Sequence, residues 1–245
     1  MSPDPVDYHD LEYLVECGVF DVRKALLIAV NQQNGRAIKT LCEWFLCTKE
    51  HLCQPKNGAT VLDEAILLED QTTILLLCDW FHITKEDIGK LTYRSSFDFM
   101  KFMVEHFGYH GSELDELLEN AAKYGDLQLV QYLCVSKNRG LCGSDVIDAL
   151  NEASAEGHID ILRFLKSQYS LTTEDARANE NCALKRAATN GHLGVVQFLH
   201  TDFGLSAEDV LDEQGSLTSV LYWAAKHLDI LSYFFRDMLV PPDKV

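Results

Sequence analysis

Short runs of apolar residues recur along the chain in pairs, with a tight polar corner between the members of each pair. The clearest pair lies in residues 181–199, where Gly191 and His192 form the corner. Small apolar residues precede this corner and bulkier ones follow it, at the three- and four-residue spacing of a helix face. The pattern predicts two short helices, neither of which can bury its apolar face without a neighbour of the same kind.

Similar pairs fill most of the chain, and we expect about seven repeats, each with an inner and an outer helix. They cover residues 24–41, 60–77, 89–103, 116–133, 148–165, 181–199 and 219–234. The third repeat is short, because only its outer helix, 97–103, has a clear pattern, and we expect a local defect near 89–96. The seventh repeat lacks two residues at its corner, including the glycine, so its turn must differ.

Two stretches give direct evidence of duplication. Residues 42–52 and 78–88 align over eleven positions at a distance of 36 residues, and Trp44 and Trp80 occupy the same position. A shared position favours packing over ligand binding for these two tryptophans.

The corner glycines of repeats 4 to 6 lie 32 and 34 residues apart: Gly125, Gly157 and Gly191. This period is typical of a stacked helical array.

A second pattern marks the joins between repeats: an apolar residue, Ser or Thr, two variable residues, an acid and another apolar residue. It occurs at 83–88, 171–176 and 205–210, with looser copies at 47–52 and 141–146. The hydroxyl residue can cap a helix while the acid three positions later bonds back to it. We therefore predict capping boxes in the pairs Thr84–Asp87, Thr172–Asp175 and Ser206–Asp209.

The sequence of the sixth repeat, Ala187-Ala-Thr-Asn-Gly-His-Leu-Gly-Val-Val-Gln-Phe-Leu199, resembles the ankyrin repeat, as do residues 57–65 and 157–162. The resemblance implies an ankyrin-like helix-turn-helix solenoid of about six to seven repeats. Capped joins replace the residues of the usual hairpin, so we expect an all-α or nearly all-α form. The joins are similar to those of divergent ankyrin-repeat proteins of large DNA viruses and intracellular microbes. We expect a capping helix in 1–21, the solenoid in 22–240 and a tail in 241–245.

The composition is that of a soluble folded protein, with 47% hydrophobic and 24% charged residues among 245. The net charge of -17 argues against binding to nucleic acid or anionic lipid. It is explained either by solubility or by a preference for basic partners. The chain shows no secretory signal and no apolar run of membrane-spanning length. We expect a cytoplasmic monomer with reduced thiols. A nuclear location is the alternative.

Candidate chemical groups have structural explanations. A zinc site at Cys42, Cys47, His51 and Cys53 is disfavoured, because the second copy carries Cys78, Ile83, Asp87 and Gly89 at these positions. His158, His192 and His227 recur at the corners, which favours structural hydrogen bonding over base catalysis. No nucleophile motif or phosphate-binding loop occurs. We therefore predict no metal, no cofactor and no enzymatic activity. A hydrolase or transferase is the alternative from the class of enzymes.

The predicted function is protein binding. In ankyrin repeats the concave face holds the partner, which points to the inner-helix positions and to the pairs just before the corner glycines. The predicted contacts are Asn120, Lys123, Tyr124, Glu152, Glu156, Arg186, Thr189, Asn190 and Trp223, and Ala155 belongs to one of these pairs. Trp223 is either an exposed anchor or a cover for the shortened last turn. The alternative function is an adaptor or effector whose terminal peptide, in 1–18 or 241–245, recruits a second protein such as a ubiquitin ligase.

Overall fold

A computed structural model describes residues 21–45, 47–53, 60–88, 95–135, 143–211 and 219–238. These residues form sixteen α-helices and no β-strand, so the all-α prediction is confirmed. The helices are α1 Val22–Asn31, α2 Gly35–Trp44, α3 Lys49–Cys53, α4 Val61–Leu67, α5 Gln71–Phe81, α6 Lys85–Ile88, α7 Phe97–Phe107, α8 Ser112–Tyr124, α9 Leu127–Val135, α10 Gly143–Glu156, α11 Ile159–Tyr169, α12 Thr173–Asn190, α13 Leu193–Thr201, α14 Ala207–Val210, α15 Ser219–Ala224 and α16 Leu228–Arg236.

The chain divides into two compact units, residues 1–108 and 109–245. In the first unit, inner helix α1 packs on α4 and outer helix α2 packs on α5. In the second unit, the inner helices α8, α10, α12 and α15 pack in that order, and the outer helices α9, α11, α13 and α16 do the same. Sequential stacking of helix pairs is the predicted repeat architecture. The capping helix expected in 1–21 and the defect expected near 89–96 fall mainly on residues outside the described ranges.

Small residues form the contacts between the inner helices. Ala121, Ala122, Ala153, Ala187 and Ala188 are almost completely buried, because an alanine lets the backbones of two helices approach closely. The outer helices contribute larger side chains to the same core, such as Leu133, Leu165 and Leu199. Burial of each leucine stabilises the fold by about 1.5–3 kcal/mol. The contrast between small and bulky faces is the one visible in the sequence.

The corners of repeats 4 to 6 use glycine in the left-handed conformation. Gly125, Gly157 and Gly191 have φ values of 79°, 84° and 85°. The residue after each glycine donates its N–H to a carbonyl five residues back, as His158 does to Ala153 over 2.9 Å. In repeat 7 the corner differs as predicted, since the N–H of His227 donates to the carbonyl of Ala224, three residues back.

Capping boxes are present at two of the three predicted joins. The first begins a short helical turn at the start of α12, which ends where the backbone leaves the helical conformation at 178–181. Thr172 and Ser206 each accept a backbone N–H at the start of the helix, and Asp175 and Asp209 accept the N–H of the capping residue in return. The bonds from the backbone and side chain of Thr172 lower the pKa of Asp175. At the third predicted position the box is incomplete: Asp87 accepts the backbone N–H and the hydroxyl of Thr84, but its own N–H donates to the Thr84 carbonyl oxygen. A further box, Thr60 with Asp63, begins α4.

Candidate functional site

The predicted contact residues lie on successive inner helices and at their corners. Asn120, Glu152, Arg186 and Trp223 stand on α8, α10, α12 and α15, which pack side by side. Trp223 is 43% exposed and Tyr124 is 53% exposed. Lys123, Glu156 and Asn190 are exposed as well, whereas Asn120, Glu152, Arg186 and Thr189 are half-buried.

Several of these side chains bond within the protein. The guanidinium of Arg186 donates to the carboxylate of Glu152, and the half-buried ion pair links α12 to α10. The amide of Asn120 donates to the carbonyl of Glu116, 2.7 Å away on the same helix. The Arg186–Glu152 pair therefore connects neighbouring repeats, whereas the bond of Asn120 stays within α8.

The corner pairs are also partly structural. Thr189 donates its hydroxyl to the carbonyl of Lys185 over 2.7 Å, and the amide of Asn190 donates to the carbonyl of Ala155 over 2.6 Å. Ala155 is only 6% exposed, so the expectation that the whole pair faces solvent is wrong at this position. Its backbone is covered because Asn190 of the next repeat bonds across it.

Each corner histidine packs over the corner glycine of the repeat before it. Nε2 of His158 lies 3.0 Å from the carbonyl oxygen of Lys123, and Nε2 of His227 lies 3.0 Å from that of Thr189. The ring of His192 lies 2.6 Å from the position that a Cβ at Gly157 would occupy. The bonds of His158 and His227 confirm their predicted structural role, because each imidazole satisfies a backbone carbonyl of the neighbouring repeat.

Carboxylates crowd the adjoining faces of α8 and α10. Burial raises the pKa of Glu119, and the nearby carboxylates of Asp148, Glu152, Glu116 and Asp115 raise it further. We call these five residues the acidic cluster. The sequence carried a signal for it, since acids three and four positions apart recur on two consecutive inner helices, but only the packing of α8 on α10 brings the two rows together.

An aromatic pair occupies the last inner helix. The rings of Tyr222 and Trp223 meet edge to face, with their centroids 5.3 Å apart, and both side chains are exposed. The exposure of Trp223 favours the anchor interpretation, because a residue that covered the shortened turn would lose most of its contact with water.

The cysteines near the first join do not gather around a metal position. Cys42 is buried, and the Cys47 thiol donates to the carbonyl of Leu41 over 3.7 Å. The described side chains contain no group of three potential metal ligands, and the side chain of His51 is outside them. Within the described ranges, every helix is too short or too polar to span a bilayer.

Comparison with known proteins places the repeats in a family. No curated protein shows a significant sequence match to the chain. Residues 118–209 match the family described as ankyrin repeats, in three copies, and this range runs from α8 to the capping box after α13. Ankyrin repeats are generally non-catalytic modules of protein–protein interaction. The match and the stacked helix pairs together show that residues 118–209 consist of ankyrin repeats.

Proposed function

We propose that this protein is a non-catalytic scaffold that binds a basic protein partner on the face formed by α8, α10, α12 and α15. The acidic cluster carries the proposal. Burial and the four neighbouring carboxylates raise the pKa of Glu119, so the folded protein holds this carboxylate at some expense of stability, whereas Glu152 already has Arg186 as its partner. A cationic side chain placed among them would relieve the repulsion, which gives the site a preference for Lys or Arg.

The remaining contacts on this face divide by chemistry. Tyr124 and Trp223 offer exposed aromatic surface, the kind that anchors interfaces. Lys123 and Glu156 are exposed charges at the corners, where they would tune the choice of partner. The Arg186–Glu152 ion pair, whose carboxylate belongs to the acidic cluster, links α12 to α10. The recruitment alternative depends on residues 1–18 and 241–245, which lie outside the described ranges.

The charge requirement is tested with Glu116→Gln/Glu119→Gln. Binding to an immobilised set of Lys- and Arg-rich peptides that each carry one aromatic residue should weaken by about tenfold, because two charge contacts of roughly 0.5–1 kcal/mol each are lost. The matched control is Asp160→Asn/Glu105→Gln, which removes two exposed acids from outer helices. Equal weakening by both variants would show that net charge alone attracts these peptides.

Measurements of stability distinguish a binding role of the acidic cluster from a purely structural role. Glu119→Gln should raise the free energy of unfolding at pH 7 by about 0.5 kcal/mol, since the raised pKa means that folding disfavours the carboxylate. The gain should vanish at acidic pH, where the folded and unfolded wild-type chains both carry a protonated Glu119. A variant that is more stable and yet binds worse supports a binding role; one that loses stability contradicts it.

The aromatic anchor is tested with Trp223→Ala. We expect a loss of about 2 kcal/mol in binding of the same peptides, close to thirtyfold, as for a central interface tryptophan. Leu228→Ala is the control, because Leu228 is an exposed apolar residue of the same repeat but stands at its corner. An equal effect of the two variants would argue against a specific contact at Trp223.

A further inference from the structure

Two cysteines lie close together at the end of α2, where the first join begins. The backbone N–H of Cys47 donates to the carbonyl oxygen of Cys42 over 3.2 Å. Covalent geometry then holds the two Cα atoms within roughly 7 Å of each other. Disulfides usually join Cα atoms about 4.4–6.8 Å apart, so the backbone is already close to the required arrangement.

The side chains complete this arrangement. The Cys47 side chain and burial raise the pKa of Cys42, and the Cys42 side chain lowers the pKa of Cys47. Cys42 is only 8% exposed, whereas Cys47 is half-buried and reaches solvent. One thiol is therefore accessible and more readily ionised, and the other is held behind it. This is the order of reactivity of an attacking and a resolving cysteine.

We propose that Cys42 and Cys47 form an oxidisable dithiol, which a low-molecular-weight disulfide such as oxidised glutathione converts to an intramolecular disulfide. The Cys47 thiolate attacks one sulfur of the reagent and releases one glutathione thiolate. Cys42 then loses its proton to solvent and attacks the Sγ of Cys47, which releases the second glutathione. Two protein thiols are oxidised to one disulfide, and the reagent is reduced to two thiols.

The second copy of the same segment provides a natural comparison. Cys78 stands at the position of Cys42, and Ile83 stands at that of Cys47 and is buried. The join can therefore be built with an isoleucine in place of Cys47. The substitution Cys47→Ile thus removes the accessible thiol while it introduces the residue that the protein itself uses at the equivalent position.

The test uses the full chain, reduced and then incubated with oxidised glutathione, with peptide mass spectrometry under non-reducing conditions. We expect a Cys42–Cys47 disulfide and a higher Tm, because the link restricts the unfolded chain. Cys42→Ala should instead stop at one glutathione attached to Cys47. Cys47→Ile should leave Cys42 unmodified and the Tm unchanged by the reagent, and it keeps the proposal testable if Cys42→Ala fails to fold.

Two outcomes would overturn the proposal. One is a stable glutathione adduct on Cys47 in the wild-type chain, since the neighbouring thiol would then not resolve it. The other is a disulfide from Cys47 to Cys53 or Cys78, which would show that a different pair meets in solution.

Discussion

The contact between a histidine and a glycine is the residue-scale unit that links repeats 4 to 7. Each corner glycine leaves space for the histidine ring of the next repeat. A Cβ at Gly125, Gly157 or Gly191 would lie 2.6 Å from the nearest ring atom. The positive φ at each glycine is a second reason for the absence of a side chain. Conformation and packing therefore both require glycine here.

This double requirement predicts a large effect of Gly157→Ala. The left-handed backbone alone should lower the free energy of unfolding by about 1–2 kcal/mol, and displacement of His192 should add to the loss. The measurement is chemical denaturation followed by circular dichroism. Gly143→Ala is the control, since no atom lies within 4 Å of its Cβ position and its φ is not in the left-handed range. Equal losses at the two positions would refute the packing argument.

At the scale of the element, the short helices of the joins bond to one another. Arg177, after one capping box, donates two hydrogen bonds to the carboxylate of Asp209 in the next, at 2.6 and 3.2 Å. Lys49 forms the corresponding ion pair with Asp87 in the first unit. Burial alone would raise the pKa of Asp87, but the bonds from Lys49 and Thr84 outweigh it, so the pKa is lowered. The boxed aspartates thus cap one helix and anchor the preceding join.

Removal of the Arg177 cation should show how much the contact between the joins contributes to stability. Arg177→Met should destabilise the fold by about 2 kcal/mol, because Asp209 would stay buried with one charge partner fewer, although the partial exposure of Arg177 moderates the loss. Glu174→Gln should change stability by less than about 0.5 kcal/mol, since the Glu174–Arg177 pair is exposed. Thermal unfolding of both variants measures the difference. Similar Tm shifts would contradict a stabilising role of the Arg177–Asp209 ion pair between joins.

At the scale of the whole molecule, the division into two compact units has a measurable consequence. Repeat arrays are stabilised by contacts between neighbours, so separate regions can unfold at different denaturant concentrations. Trp44 and Trp80 lie in the first unit and Trp223 lies in the second. In Trp44→Phe/Trp80→Phe, fluorescence reports only the second unit, whereas circular dichroism reports both.

We expect these two probes to give different unfolding midpoints in that variant. The Trp223→Phe variant is the complementary control, in which fluorescence follows the first unit and should deviate from circular dichroism in the opposite direction. Coincident curves in both variants would show that the chain unfolds as a single cooperative body.

The sequence predicted the repeats well because their information is local. Gly191 followed by His192, and the Thr172–Asp175 spacing, each specify a structure that forms within a few residues. The Thr60–Asp63 box has the same spacing and could have been recognised in the same way. The Arg177–Asp209 and Arg186–Glu152 pairs could not, since their partners are 32 and 34 residues apart and many charged residues lie between them.

The sequence by itself determined the helices, their corners and caps, and the presence of ankyrin-type repeats, because helical periodicity and turn chemistry act over short distances. Only the tertiary structure decided which side chains meet. It paired two of the predicted contact residues with each other, buried Ala155, gathered the acidic cluster from α8 and α10, and brought Cys42 and Cys47 together. These outcomes depend on the distances between packed helices and on the conformation of each join, which single-sequence patterns do not encode.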